Sequence, residues 1–82
     1  MKLHYTQHAL DRLAKRGLKL EWVERTVLLP DLVEPDPMDA DLEHRLATIP
    51  ELAGRVLRVI VSKTEPRRVV TAYPDRKMKG RL

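Results

Sequence analysis

The sequence predicts an α+β domain, with two amino-terminal helices packed on one face of a small antiparallel sheet of about four strands. Three observations predict it. Apolar residues recur at helical spacing as far as Leu29 and at alternating spacing from Leu42 onward. Gly and Pro stand between these stretches, at Gly17, Pro30, Pro50, Gly54, Pro66 and Pro74. The connections are short, which favours antiparallel neighbours. With 82 residues the chain reads as a single domain over 1–82. It divides into a helical pair at 1–30, a sheet at 31–74 and a basic tail at 75–82.

Thr6 has the side chain of an N-cap, and a helix is expected over 7–16. Ala9, Leu10, Leu13 and Ala14 form its apolar stripe. Gly17 suits the left-handed conformation that ends a helix, and Leu18 and Leu20 pack back against it. A second helix is expected from Leu20 to Leu29, where Pro30 stops it. Leu20, Val23 and Val27 lie along one side, widened by Trp22 and Leu29.

Leu32 and Val33 read as a short strand ended by Pro35 and Pro37. Residues 34–41 form an acidic loop. A strand over 42–49 places Leu42, His44, Leu46 and Thr48 opposite Glu43, Arg45, Ala47 and Ile49. After a turn at Pro50–Gly54, a strand over 55–63 carries Leu57, Val59 and Val61 on one face. Arg58, Ile60 and Ser62 take the other. The last strand, 68–73, alternates Val69, Thr71 and Tyr73 with Val70 and Ala72. The stripe of the first helix is expected to pack on the Leu57–Val59–Val61 face.

Phe is absent and aromatics make up 4% of the chain, so the core is aliphatic. There is no cysteine, which excludes disulfides and thiolate metal sites. No apolar run reaches the ~18–20 residues of a membrane span, and Met1-Lys2-Leu3-His4 does not open a signal peptide. The expectation is a cytoplasmic protein with no membrane partner. Net charge is +4, unevenly placed. Residues 1–20 carry five bases against one acid, residues 21–54 two against nine, and residues 55–82 nine against two. If the basic ends meet, they attract a polyanion such as nucleic acid. The acidic segment Glu34–Glu43 is expected to lie away from that surface.

The chain has no GxxxxGK[ST], GxGxxG or GxSxG, which argues against nucleotide hydrolysis, dinucleotide use and serine hydrolysis. The histidines lack HExxH spacing. The loop acids Asp36, Asp39 and Asp41 lack the Gly and closing Glu of an EF-hand. No metal or cofactor is expected. His8, Arg12 and Lys15 share one side of the first helix, with Arg16 beside them. They are either a solvated face or a site where an imidazole moves a proton beside a guanidinium-held phosphate. His44, flanked on its face by Leu42 and Leu46, reads as partly buried and structural. Thr71 and Tyr73, with Arg68 and Arg76 nearby, are either good strand formers or a place to bind a phosphate and stack a base.

One run carries a family likeness: His4-Tyr5-Thr6-Gln7-His8-Ala9-Leu10-Asp11-Arg12-Leu13, then Lys15-Arg16-Gly17-Leu18, Val23 and Leu29-Pro30-Asp31. With the closing strand Val69-Val70-Thr71-Ala72-Tyr73, it resembles the small bacterial family termed domain of unknown function four-two-five-eight. Lys19 departs from it, since Ser or Thr is common at that helix cap. That family is similar in layout to the BrnT and RelE/ParE toxins, and related domains form the tips of polymorphic toxins with a barnase/RelE-like ribonuclease fold. The resemblance implies a RelE-like fold, a toxin-like metal-independent endoribonuclease acting on RNA, and an antitoxin protein as partner. It implies catalytic roles for His8, Arg12 and Tyr73, with Arg16 and Thr71 binding substrate; Arg68 and Arg76 join the substrate-binding set by their position near the last strand. RNA cleavage of this kind deprotonates the 2′-OH, stabilises the phosphate and protonates the 5′-oxygen. His4, His44 and Tyr73 are candidates for the second proton transfer. The alternative reading is a non-catalytic basic module that binds nucleic acid or a protein partner.

Overall fold

A computed structural model describes residues 2–82. Its elements run β1 (Leu3–Tyr5), α1 (Gln7–Lys15), α2 (Leu20–Leu28), β2 (Leu32–Pro35), β3 (Leu42–Ile49), β4 (Arg55–Ser62) and β5 (Arg67–Pro74). Short 3-10 turns occupy Pro50–Leu52 and Arg76–Met78. Among the described residues the strands form one sheet, in the order β1-β5-β4-β3-β2. The expected helices-on-sheet architecture is present, but the sheet has five strands rather than four and is mixed rather than antiparallel. The extra strand is β1, which pairs parallel to β5 with Leu3 opposite Arg67 and Tyr5 opposite Val69. Three residues are too few to display a period of two, so residues 1–30 read as helical only.

The helix ends follow from local chemistry. Thr6 is extended, and its hydroxyl accepts from the Ala9 N–H at 3.0 Å. At the other end Gly17 has φ +66°. There the Leu18 N–H donates to the Leu13 carbonyl at 2.9 Å and the Gly17 N–H to Ala14 at 3.2 Å. This pair of bonds, with Leu13 and Leu18 both buried, is a Schellman termination. Lys19 gives α2 no side-chain cap.

The core lies between the helices and one face of the sheet. From α1, Ala9 and Leu13 enter it; Leu10 and Ala14 do not. The stripe is therefore narrower than its spacing suggested. From α2 come Trp22, Val23, Thr26 and Val27, while Leu20 and Leu29 stay exposed. Buried Thr26 satisfies its hydroxyl by donating to the Trp22 carbonyl at 2.9 Å. Leu57, Val59 and Val61 are buried beneath the helices as expected. The strand under α1 is β5, however, and α2 covers β4 and β3.

A β-bulge resets the phase of β5. Val69 pairs with Val61, Thr71 with Ile60 and Ala72 with Val59, so Val70 is the extra residue. Val69 and Ala72 thus both face the core, and Thr71 and Tyr73 face the other way. Strict alternation had put Val69 with Thr71 and Tyr73; the bulge corrects this.

The acidic segment is not held apart from the basic residues. Glu34 pairs with Arg58 at 3.2 Å, and Glu43 lies between Arg45 at 2.6 Å and Arg67 at 3.2 Å. Sheet pairing brings Glu34 of β2 to Arg58 of β4 and Glu43 of β3 to Arg67 of β5, each across one intervening strand, an arrangement that summing charge along the chain does not reveal.

Candidate nucleic-acid interface

The sheet face that carries no helices holds two cross-strand rows. One runs Glu34, His44, Ile60, Thr71; the other runs Leu32, Leu46, Arg58, Tyr73. Leu46 is fully buried and His44 nearly so. The middle of this face is a polar network built on Arg58. Its Nε donates to Asp75 at 2.8 Å and its NH1 to His44 Nδ1 at 2.8 Å. The same nitrogen reaches Glu34 at 3.2 Å. His44 Nε2 meets Asp36 at 2.6 Å. A guanidinium only donates, so Nδ1 accepts and the ring proton sits on Nε2, directed at Asp36. Both ring nitrogens are thereby occupied, which removes His44 from the proton-transfer candidates.

The carboxylates respond to these contacts. The hydrogen bond from His44 holds Asp36 below its ordinary value, helped by the Met38 and Asp39 N–H groups. Burial pushes Asp75 up, but the bonds from Arg58 and the Lys77 N–H outweigh it and leave a net lowering. For Arg58 burial pulls down and its carboxylate partners push further up, so the guanidinium is held more firmly charged.

Tyr73 and Thr71 meet a third residue from the helix layer. β1 pairs with β5 only as far as Val69, so the border of β5 is open beyond that point. Arg16, at the end of α1, reaches across it. Its NH1 donates to the Ala72 carbonyl at 2.8 Å and to the Thr71 hydroxyl at 3.4 Å. Its guanidinium carbon lies 5.9 Å from the centre of the Tyr73 ring, a cation–π contact. One cation, one hydroxyl and one aromatic ring thus share the strand border.

The other expected site residues stand at varying distances from this cluster. His8 and Arg12 are exposed on α1. Helix rise places Arg12 about 6 Å and His8 about 12 Å along the axis from Arg16. Shared catalytic roles for His8, Arg12 and Tyr73 require the first turn of α1 to lie at the end of β5. Instead that turn lies by Val69, whose carbonyl accepts from the Thr6 N–H at 3.5 Å, and the last turn reaches Ala72. The cause is β1: the chain leaves it travelling parallel to β5, and α1 continues in that direction. Arg68 sits beside His4 in a cavity of about 530 Å3 that Ser62, Thr64 and Pro66 also line. Five residues of strand, roughly 17 Å, separate it from Tyr73. Arg76 lines a different cavity, of about 320 Å3, with Arg55 and Lys79.

Sequence reasoning gave no role to Arg58, Asp75, Asp36, Arg55 or Lys79. One signal was available for the first: an arginine in the middle of an apolar strand demands partners when it is covered. The arrangement at the β5 border can hold a phosphate on Arg16 and stack a base against Tyr73.

No curated protein matches the chain, and no solved structure matches it. The family described as Domain of unknown function (DUF4258) matches residues 5–74, from the end of β1 to the end of β5. A match over most of the chain shows kinship, and this protein belongs to the DUF4258 family.

Proposed function

We propose that the protein is a toxin-like, metal-independent endoribonuclease, held in check in the cytoplasm by an antitoxin protein, and that RNA meets it at the β5 border. The observation that carries this reading is Arg16 bridging Thr71 and Tyr73. A guanidinium beside an aromatic ring is a means of gripping a phosphodiester and its base together. In this reading Arg16 anchors one phosphate of the strand, and Arg12, one turn from His8, stabilises the charge that builds on the scissile phosphorus oxygens during attack by the 2′-oxygen. Tyr73 stacks or positions the base. Arg12 and His8 follow the strand along α1; His8 takes the 2′-OH proton as the bond from phosphorus to the 5′-oxygen breaks, and water protonates the departing 5′-oxygen.

Inducible expression tests it. Wild type is expected to slow growth and degrade RNA, and Arg16→Ala, Tyr73→Ala and His8→Ala each to relieve both effects. Intact RNA in cells expressing the folded wild type overturns catalysis. A second reading is favoured by two observations: His44 has both ring nitrogens occupied, and His8 stands two turns from Arg16. In that reading the same border binds RNA without cutting it. Salt-sensitive binding of single-stranded RNA with no cleavage selects this alternative.

A further inference from the structure

We infer that the cavity at the carboxyl end of β5 binds a phosphate group of a nucleic-acid strand, one step beyond the Arg16 contact. The cavity encloses about 320 Å3 and is lined by Arg55, Pro74, Asp75, Arg76 and Lys79. Three cations therefore face one space. None of the three side chains forms an ion pair or hydrogen bond within the described residues, whereas Arg25, Arg45, Arg58 and Arg67 all do. The single carboxylate on the wall is already held by two other donors. Asp75 is engaged by Arg58 at 2.8 Å through one oxygen and by the Lys77 N–H at 3.0 Å through the other. Like charges gathered around a cavity repel, and a bound anion relieves that repulsion. A phosphate suits the set, since two guanidiniums offer paired donors and the ammonium adds a point charge.

The location says which phosphate. Pro74 lies two residues past Ala72, whose carbonyl holds Arg16, so about 7 Å of strand separates the two cationic positions. Tyr73 stands between them in sequence. A strand whose base stacks on Tyr73 can place one phosphate at Arg16 and the next in the cavity. The identity of the ligand as an RNA strand rests on the function proposed above; the anion site itself rests on the cavity.

The test reads the two separately. Inorganic phosphate is titrated into labelled protein at constant ionic strength, and amide and guanidinium resonances are followed by NMR. Saturable shifts confined to Arg55, Arg76, Lys79 and their neighbours are expected. Shifts spread evenly over Lys2, Lys15 and the other surface cations overturn the site. Oligouridylate binding is then measured for wild type and for Arg76→Ala/Lys79→Ala, whose sites are exposed and whose melting temperature serves as the folding control. The double variant is expected to bind about tenfold more weakly. Its log–log salt slope is expected to be shallower by roughly 0.7, the share of the one single-strand phosphate held in the cavity. Unchanged RNA affinity alongside a confined phosphate shift overturns the strand assignment and leaves a free-phosphate site. Loss of the ribonuclease reading alone moves neither measurement.

Discussion

The Nδ1 atom of His44 accepts a hydrogen bond from the Arg58 guanidinium at 2.8 Å, while Nε2 faces Asp36 at 2.6 Å. Through Asp75 the same guanidinium reaches the turn that follows β5. One arginine thus ties the loop after β2 to β3, β4 and the carboxyl-terminal turn. A helix-free sheet face gains its rigidity here from directional bonds as much as from apolar burial.

Arg58→Ala is expected to destabilise the fold by about 3 kcal/mol, because it strands the largely buried Asp75 carboxylate and His44 ring. Arg58→Lys recovers little of this, since an ammonium lacks the planar fork that meets several partners at once. Urea unfolding of the two variants beside wild type checks both statements.

Leu13 is 2% exposed and Leu10 36%. Leu13→Ala is expected to cost about 2–5 kcal/mol, and Leu10→Ala within about 0.5 kcal/mol of nothing. Equal midpoint shifts for the two would contradict the narrow α1 stripe.

Arg25 grips Glu51 with two bonds, at 2.9 and 2.7 Å, and this holds the Glu51 carboxyl down at about 2 against an ordinary 4.5. A carboxylate depressed in the folded state adds stability that is full above its ordinary value. That stability drains away as pH falls through the folded value. The melting-temperature gap between wild type and Glu51→Gln is therefore expected to be constant near neutrality and to close between 4.5 and about 2. Asp36, lowered by His44, adds to the acid loss of wild type in the same direction.

Arg16→Ala is expected to weaken single-stranded RNA binding and to lower the salt slope by roughly 0.7, the share of one phosphate contact. Fluorescence anisotropy at several salt concentrations measures it. Binding that stays flat across salt would end any polyanion role for this border.

Much of the fold is legible where residues act as punctuation. Thr6, Gly17 and Pro30 mark the helices, and the alternation of β3 and β4 assigns their faces, because each signal is local. Two features escape for a physical reason. The strand Leu3–Tyr5 is defined only by its distant partner β5, and without it the direction of α1 is ambiguous. The bulge at Val70 inserts one residue in a run of Val, Thr, Ala and Tyr, any of which tolerates either face. Of the candidate site, Arg16, Thr71 and Tyr73 were nameable and do meet. The Arg58 network was not, since its members are scattered over four elements and only pairing register brings them together.

The contact between Arg16 and the Ala72 carbonyl also bears on how the protein behaves in a crowd. A strand border with free carbonyls invites a strand from another molecule, which is how sheets stack into aggregates. Here the stretch of β5 that β1 leaves open carries a guanidinium on its backbone, and the opposite border, β2, ends in Pro35, which has no N–H to offer. The stretch of β5 beyond β1 and the far end of β2 are thereby poor templates for a strand from a second molecule.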